Sequence, residues 1–499
     1  MRSPFSLGAG GLRLYKEKCG LIRRQGDGPG NLGGNFSFAP PADLSRQEGK
    51  RVMRNIKLAL WGTLVLLSLL WLAAEPDVFQ SENVFALRAA MIQYSGVLAI
   101  GAMSIALVLA LRPGWPETWL GGLDKMYRLH KWLGISALVL SLAHWLWFES
   151  AGWAIELGLV ARPERPERPP IENPVQEFLV GLRDPAEGLG EWAFYISVLL
   201  IVLALVPRFS YWWFFKTHRL LAVTYLVLAF HTVVLAEFAY WTQPVGVVLA
   251  VLLACGTVAA VIVLLRRVGI SRQALGKITT LTAYPGVRAL EIGMTMEPGW
   301  CGHEPGQFAF VTSDKGEGAH PFTIASAWNA TDRSITFITK ALGDYTSRLP
   351  DTLAVGQEVR VEGPYGRFTF DDGCPRKIWI GGGIGITPFI ARMKYLAAQP
   401  DRRVGQAIDL FHSSSELDEE AFARLTADAA AAGVRLHILV DARDGLLTGE
   451  RIRATVPDWR EASIWFCGPA GFGAALRRDF AGQGFDVKKR FHQELFSMR

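Results

Sequence analysis

The chain has 499 residues, room for two to four domains at about 100–200 residues each. Hydrophobic residues make up 50% and charged residues 20%, and the mean hydropathy is +0.20. These values exclude a disordered chain and a wholly soluble one, because long uncharged apolar runs need somewhere to go. The five cysteines (Cys19, Cys255, Cys301, Cys374, Cys467) lie far apart with no CxxC and no Cys/His cluster, which speaks against a zinc finger or a plant-type iron–sulfur cluster. The net charge of +6 gathers at the ends of apolar runs and in the N-terminal tail, a membrane-topology pattern rather than a nucleic-acid footprint.

Residues 1–54 read as a flexible, basic cytoplasmic tail, Gly-rich at 26–34 and without a signal-peptide apolar core. Met53, followed by Arg54, Lys57 and an apolar run, looks like a natural start, so residues 1–52 are expected to be dispensable. Six apolar runs follow, at about 58–74, 89–111, 129–149, 192–206, 218–238 and 244–265, and several reach the ~20 residues that cross a bilayer. The fourth is short and has room to extend into 207–215. Lys and Arg concentrate before the first run, between the second and third, between the fourth and fifth, and after the sixth. The alternate connections 75–87 and 237–243 have none, and 150–191 carries more acidic than basic residues. The bias predicts a six-helix transmembrane domain over 55–268 with both termini cytoplasmic. The Pro-rich stretch 161–170 in the long outer connection reads as a semi-rigid spacer.

After about residue 270 the apolar runs become short and β-branched: FAFVT (308–312), SITFIT (334–339), EVRVEG (358–363). They predict an antiparallel β-barrel over 272–372. Beyond it, strand-like and helix-like segments alternate, predicting a parallel α/β domain over 374–499.

Four of the nine histidines lie in two apolar runs: His130 and His144 in the third, His218 and His231 in the fifth. A polar side chain at membrane depth is expensive and tends to be functional. Spacings of 14 and 13 residues put each pair about 21 and 20 Å apart along its helix. The two helices run the same way, so His130 matches His218 in depth and His144 matches His231. Matched imidazole pairs suit bis-His haem iron, two stacked haems carrying electrons through hydrocarbon. The plainer reading is polar contact at helix ends, since Lys131 and Arg219 are neighbours. One geometric tension remains: at 100° per residue, 14 steps return to within about 40° of one face, whereas 13 miss by about 140°. Either the fifth helix is locally irregular or its ligands reach different sides of the stack.

Four further motifs fall in the second half. In HPFTIAS (320–326), the Thr323 hydroxyl has the chemistry to donate to a flavin ring nitrogen, with His320, Pro321 and Phe322 shaping the pocket. In KALGDYTSRL (340–349), Gly343, Tyr345 and Thr346 offer backbone N–H groups and a hydroxyl to a pyrophosphate at a helix start. In GGGIGITPF (381–389), Gly382, Gly383 and Gly385 let the backbone approach a dinucleotide phosphate, Thr387 follows, and Pro388 suits a first helical turn. In WFCGPAGF (465–472), Cys467, Gly468 and Pro469 end a strand where parallel sheets bind ligands, which places Cys467 beside a nicotinamide unless it is a buried inert thiol. Each alone could be an ordinary strand or turn.

Together with six helices, the His pairs and a C-terminal FSMR, these motifs make the chain resemble the NADPH oxidase and ferric reductase family over about residues 55–499. The resemblance implies electron flow from cytoplasmic NADPH or NADH to FAD, then through two b-type haems to an external one-electron acceptor. It implies an inner haem on His130 and His218, an outer haem on His144 and His231, and Phe496 covering the flavin ring. The implied setting is a bacterial inner membrane, with the lipid bilayer, NAD(P)H and the acceptor as partners. Superoxide-forming members resemble one another in an outer Arg and a second His one turn beyond the outer ligand. Arg88 suits the first role, or is an interfacial Arg; Phe148 stands where the second His would be. That favours a ferric chelate over oxygen. LFHSSSE (410–416) has hydroxyls but no Arg, and Glu416 would repel a ribose 2′-phosphate if close. The alternatives are a superoxide-generating oxidase, a haem reductase feeding a quinone or periplasmic partner, and a non-enzymatic nucleotide-sensing transporter. A chain beginning at Met53 is expected to insert into membranes and keep its activity; loss of either, by fractionation or turnover, would refute the reading of the tail.

Overall fold

The computed structural model describes residues 45–78, 80, 84–161, 171–206, 211–314 and 316–494. Most of the tail, the Pro-rich segment 162–170 and Phe496 lie outside the described residues. The chain divides into two compact units, whose main boundary in the sequence falls between Val268 and Gly269.

The first unit is helical: α1 (Ser45–Ala74), α2 (Val84–Ala110), α3 (Gly114–Leu120), α4 (Leu123–Glu156), α5 (Pro174–Gly181), α6 (Arg183–Leu205), α7 (Tyr211–His218), α8 (Leu220–Leu235) and α9 (Pro244–Leu264). Among the described residues, six segments are long and apolar enough to cross a membrane, α7 and α8 together making one span. Large apolar side chains such as Trp61, Leu69, Trp192, Leu199 and Val251 point outward, as hydrocarbon permits. Inward faces are built differently. The buried residues of α2 include Ser95, Ala99, Gly101, Ala102, Ser104 and Ala106 beside larger apolar ones such as Leu98 and Ile100, and the small ones let neighbouring backbones come close. Polar side chains in this interior pair across helices: Ser104 with Tyr225 at 2.8 Å, Ser197 with Thr224 at 2.9 Å, and Trp71 donating to Tyr240 at 3.0 Å.

Several helices outrun their apolar cores. α4 begins at Leu123 and ends at Glu156, and α6 begins at Arg183, because an α-helix satisfies its own backbone groups and so continues into polar flanks. The 150–191 connection is therefore partly helical. The fourth run does not extend into 207–215 as one helix: α6 ends at Leu205, Val206 is extended, and α7 starts afresh at Tyr211.

The second unit begins with six antiparallel strands: β1 (Gln273–Tyr284), β2 (Ala289–Met296), β3 (Phe308–Thr312), β4 (His320–Thr323), β5 (Ser334–Lys340) and β6 (Glu358–Tyr365), in the order β4-β3-β6-β1-β2-β5. An Ile324–Phe337 bridge joins the two ends, turning the sheet into a barrel. β2 alternates strictly between half-buried and buried residues, as a strand with one face on a core must. The inward side chains include Ile278, Ile292, Met294, Phe337 and Val361. Helix α10 (Asp344–Thr352) follows β5.

The remainder is a parallel sheet of β7 (Arg376–Gly382), β8 (Ala407–Ser414), β9 (Arg435–Val440), β10 (Ser463–Cys467) and β11 (Phe491–Gln493), in the order β11-β10-β7-β8-β9. Helices α11 (Thr387–Ala398), α12 (Glu419–Ala432), α13 (Asp441–Asp444), α14 (Gly449–Thr455) and α15 (Ala470–Gly482) connect the strands. β7 and β10 are buried along their whole lengths, which explains their unbroken apolar patterns. The chain builds outward from β7 to β9, then returns to the other side of β7 as β10. The strand order thus reverses between β7 and β10, and ligands of such sheets bind in the crevice at that switch point, outside the carboxyl ends of the strands.

The crevice is tightly packed. A Cβ on Gly385 would lie 2.2 Å from the Cys467 carbonyl oxygen and 2.8 Å from the Gly468 nitrogen. Gly385→Ala is expected to destabilise this unit by about 1–3 kcal/mol, readable as a lowered thermal midpoint; an unchanged midpoint would show that the turn can move away from β10.

Candidate functional site

The four membrane histidines meet as two pairs. Ring centres lie 6.0 Å apart for His130 and His218, and 6.3 Å apart for His144 and His231. An imidazole nitrogen sits about 2.0–2.1 Å from a bound metal and the ring centre about 1.1 Å behind it, so rings on opposite sides of one iron lie about 6.3 Å apart. Both pairs fit that span.

The second ring nitrogens fit as well. Nδ1 of His130 bonds the Ala106 carbonyl at 2.8 Å, Nδ1 of His144 the Ile92 carbonyl at 2.9 Å, and Nδ1 of His231 the Ala186 carbonyl at 2.8 Å. A carbonyl accepts only, so Nδ1 carries the proton and Nε2 keeps its lone pair for a metal. His218 is held instead by stacking on Phe214, ring centres 4.8 Å apart, and its buried Nδ1 meets no hydrogen-bond partner among the described residues. Two glycines make room for the outer pair: a Cβ on Gly96 would lie 3.2 Å from the His144 ring, and one on Gly190 would lie 2.0 Å from His231 Nδ1. The sequence pattern singles out neither glycine, nor the three carbonyls, because their roles rest on contacts between helices.

The stretch between His218 and His231 is only mildly irregular: Arg219, between α7 and α8, keeps a right-handed helical backbone (φ −67°, ψ −23°), and the two rings nonetheless lie 6.0 and 6.3 Å from imidazoles of α4.

A cavity of about 310 Å³ opens beside the outer pair and is bordered by His144, His231, Arg88, Phe148, Arg183 and Glu187. Arg88 Nε donates to the Trp147 carbonyl at 2.9 Å, its Nη2 donates to the Phe148 carbonyl, and its guanidinium lies 6.0 Å from the Phe148 ring centre. Arg88 is thus tied to α4 about one turn beyond His144.

In the barrel, β4 presents His320 to Thr323 opposite Val311 to Phe308. His320 stacks flat on Tyr345, ring centres 3.7 Å apart and 9° from parallel, and the Phe322 ring centre lies 6.5 Å away. Tyr345 is fixed by a 2.7 Å bond between its hydroxyl and Ser313. Burial pushes the His320 imidazole down to about 4, so it is neutral at pH 7. The Thr346 hydroxyl is occupied: it accepts from the Leu342 and Gly343 N–H groups at 3.1 and 3.2 Å, capping α10.

In the crevice, Cys467 pairs with Gly381 across β10 and β7, and a Cβ on Gly382 would lie 3.0 Å from Pro469. The Gly-rich turn and the Cys-Gly-Pro turn therefore pack directly on each other. Thr387 donates to the Ile384 carbonyl at 2.7 Å, closing the Gly turn, and Pro388 sits in the first turn of α11. Burial pushes the Cys467 thiol well above its ordinary value, and the Glu494 carboxylate adds to this. Cys467 is thus a neutral thiol. Glu494, itself buried, is a candidate that motif reading misses, since a lone Glu near the C-terminus carries no pattern. A cavity of about 300 Å³ runs from Gly383 and Ile384 past His412 and Ser414 to Lys340 of the barrel. Phe496, expected over the flavin, lies outside the described residues.

Residues 95–229 match the family model of the ferric reductase like transmembrane component, and residues 276–369 match an FAD-binding domain. The chain therefore joins a segment that matches a ferric-reductase-like transmembrane component to one that matches an FAD-binding domain, followed by a parallel α/β domain. The chain is 28% identical over 214 residues to an NADPH oxidoreductase of Mycobacterium tuberculosis, covering 41% of this chain and 55% of that protein. It is 27% identical over 217 residues to the glycine betaine monooxygenase reductase subunit of Chromohalobacter salexigens, covering 39% and 56%. The chain thus spans about half the length of these curated relatives. Among solved structures, the flavohem-like FAD/NAD binding domain of a nitric oxide dioxygenase from Vibrio cholerae matches 45% of this chain and 98% of its own at 21% identity and a TM-score of 0.38.

Burial drives the imidazoles of His303, His320 and His412 down to about 4. An unfolded imidazole takes up its proton near pH 6.5. Between these values the unfolded chain binds protons that the folded one refuses, so stability is full at neutral pH and falls as pH drops from about 7 toward 4. Each group contributes up to about 1.4 kcal/mol per pH unit in that window. Chemical denaturation of the purified protein at pH 7, 6 and 5 should show a falling midpoint; a flat profile would mean that these rings ionise within the fold.

Proposed function

We propose that this protein carries electrons from cytoplasmic NAD(P)H through FAD and two bis-His b-type haems to a one-electron acceptor on the other side of the membrane. The observation that carries the reading is the pair of matched histidine couples, with rings 6.0 and 6.3 Å apart and three of four Nδ1 atoms anchored on backbone carbonyls. When bound, flavin accepts an electron pair as hydride and haem iron accepts electrons one at a time.

The work of the chain's own residues is placement. We assign the nucleotide to 374–499, with Gly382, Gly383 and Gly385 giving the pyrophosphate a close approach to backbone N–H groups at the start of α11, and Thr387 and Pro388 shaping that start. Gly468 and Pro469 pack against the turn, and the neutral Cys467 thiol offers the nicotinamide an uncharged neighbour. We assign the flavin to 272–372, with Thr323 facing the ring and His320, Pro321, Phe322 and Tyr345 forming an aromatic wall. The N-terminus of α10, from Gly343 to Thr346, receives the flavin pyrophosphate. His130 and His218 hold the inner haem, and His144 and His231 the outer one, within 55–268. The bundle insulates this path. Each electron crossing a 100 mV potential gains or loses about 2.3 kcal/mol, so the acceptor sets the direction.

A ferric chelate is favoured as acceptor, because Phe148, not an imidazole, stands one turn beyond His144. Oxygen reduction to superoxide is the second reading, supported by Arg88 at the outer cavity. Measured superoxide stoichiometric with NAD(P)H oxidation would reverse that order.

The anaerobic absorption spectrum of the purified protein tests the whole path. NADPH should bleach flavin and bring up reduced b-type bands for about two haems per chain; flavin bleaching without haem reduction would overturn the transmembrane reading. Gly190→Ala should displace His231 and lower the haem content toward one per chain, as His231→Ala should; full haem content in both variants would sink the outer assignment.

A further inference from the structure

The four membrane histidines are not held alike. Nδ1 of His130, His144 and His231 each reaches a backbone carbonyl, and the Ser95 hydroxyl lies 3.3 Å from His144 Nδ1 as well. His218 has the Phe214 ring stacked on it, and its buried Nδ1 meets no hydrogen-bond partner among the described residues. An imidazole that donates its second N–H to an acceptor becomes a stronger electron donor through its other nitrogen. One couple therefore combines two strong donors, His144 and His231. The other has one, His130.

The charges of the bundle are divided in the same sense. Among the described side chains of the first unit, the end nearer His130 and His218 carries ten Lys and Arg against Glu117 and Asp124. The end nearer His144 and His231 carries Arg88 and Arg183 against ten carboxylates. Both of these cations are engaged, Arg88 on the carbonyls of Trp147 and Phe148 and Arg183 on Glu187 at 3.0 Å. Glu191 borders the cavity beside His144 and His231. At the other end, Arg219 directly follows His218. Its guanidinium lies 4.9 Å from the Phe215 ring centre, and its Nε is buried with no hydrogen-bond partner among the described residues. The charge that acts on it is that of Arg266, not of a carboxylate. Arg266 is set by the left-handed turn that ends α9, at a φ of 55°. Glu362 of the second unit packs on Gly269 and is engaged by Tyr365 at 2.8 Å and Gln273 at 3.4 Å.

Reduction adds one negative charge to a bound haem. Weaker donation and nearby cations favour that electron; strong donation and nearby carboxylates oppose it. The two asymmetries act in one direction. We propose that His218 and Arg219 give the haem held by His130 and His218 the higher reduction potential of the two. The inference rests on the reading of the histidine couples as haem ligands. One electron leaves the first iron and enters the second, with no proton moved. That step is then uphill, and a membrane potential negative on the side of His130 assists it.

The test is a spectroelectrochemical titration of the purified full chain, which should resolve two one-electron steps. His218→Ala should remove the step at higher potential, and His231→Ala the step at lower potential. Arg219→Gln should move the higher step to more negative potential and leave the lower one in place. Arg219→Lys, which keeps the charge, should leave both in place. Glu191→Gln should move only the lower step, to more positive potential. The charge variants assign the steps even where a histidine variant loses both haems. A higher step that vanishes with His231→Ala, or that answers to Glu191→Gln and not to Arg219→Gln, overturns the inference, as does a single unresolved step. Protein that purifies without haem overturns the functional reading, and this inference with it.

Discussion

An imidazole inside an apolar helix bundle has two nitrogens to satisfy, and everything in the membrane unit follows from how that is done. In three of the four membrane histidines one nitrogen is settled on a backbone carbonyl of a neighbouring helix, at Ala106, Ile92 and Ala186. A helix interior does not normally lend out its carbonyls, and lending them requires close approach. Close approach in turn requires small residues on the facing helix: Gly96 under His144 and Gly190 under His231. The small-residue face of α2 and the position of α6 beside α8 are both parts of this one constraint. What it leaves is two pairs of facing imidazoles, with ring centres 6.0 and 6.3 Å apart.

The second unit meets a different requirement, the close approach of two backbone turns to each other. The Gly turn after β7 and the Cys-Gly-Pro turn after β10 come together only because the strand order reverses between them. Their packing leaves no room for a side chain at Gly385, and it buries Cys467 as a neutral thiol beside Glu494. The barrel adds an aromatic wall at β4 and, at the ends of β2 and β5, two cations that reach the loop after β8. The contact between barrel and α/β domain is thereby electrostatic at one end of the crevice.

Much of this organisation is legible in residue order. Apolar runs flanked by Lys and Arg specify the spans because burying charge in hydrocarbon is costly. Strand period, Gly-rich turns and Ala-rich helices specify a barrel followed by a parallel sheet, because backbone hydrogen bonding and alternate-face burial have fixed periods. The pairing of His130 with His218 and of His144 with His231 is also readable, since depth in a bilayer is a function of sequence position at 1.5 Å per residue.

What the sequence by itself determined is everything set by local period and by the solvent each segment must face: the six spans, the two fold types of the second unit, and the depths of the histidines. What only the tertiary structure decided is everything set by approach between distant segments. Thirteen residues on an ideal helix would turn His218 away from His231's face, and yet both rings reach imidazoles of α4 in the fold. Thr346 looks free in the sequence and is spent on its own helix cap. Glu416 looks like an exposed negative charge and is held by Arg288 and Lys340, 128 and 76 residues away. A residue's charge or hydroxyl is written in the chain, but whether it is still available depends on which partners the fold delivers to it, and no local pattern encodes that.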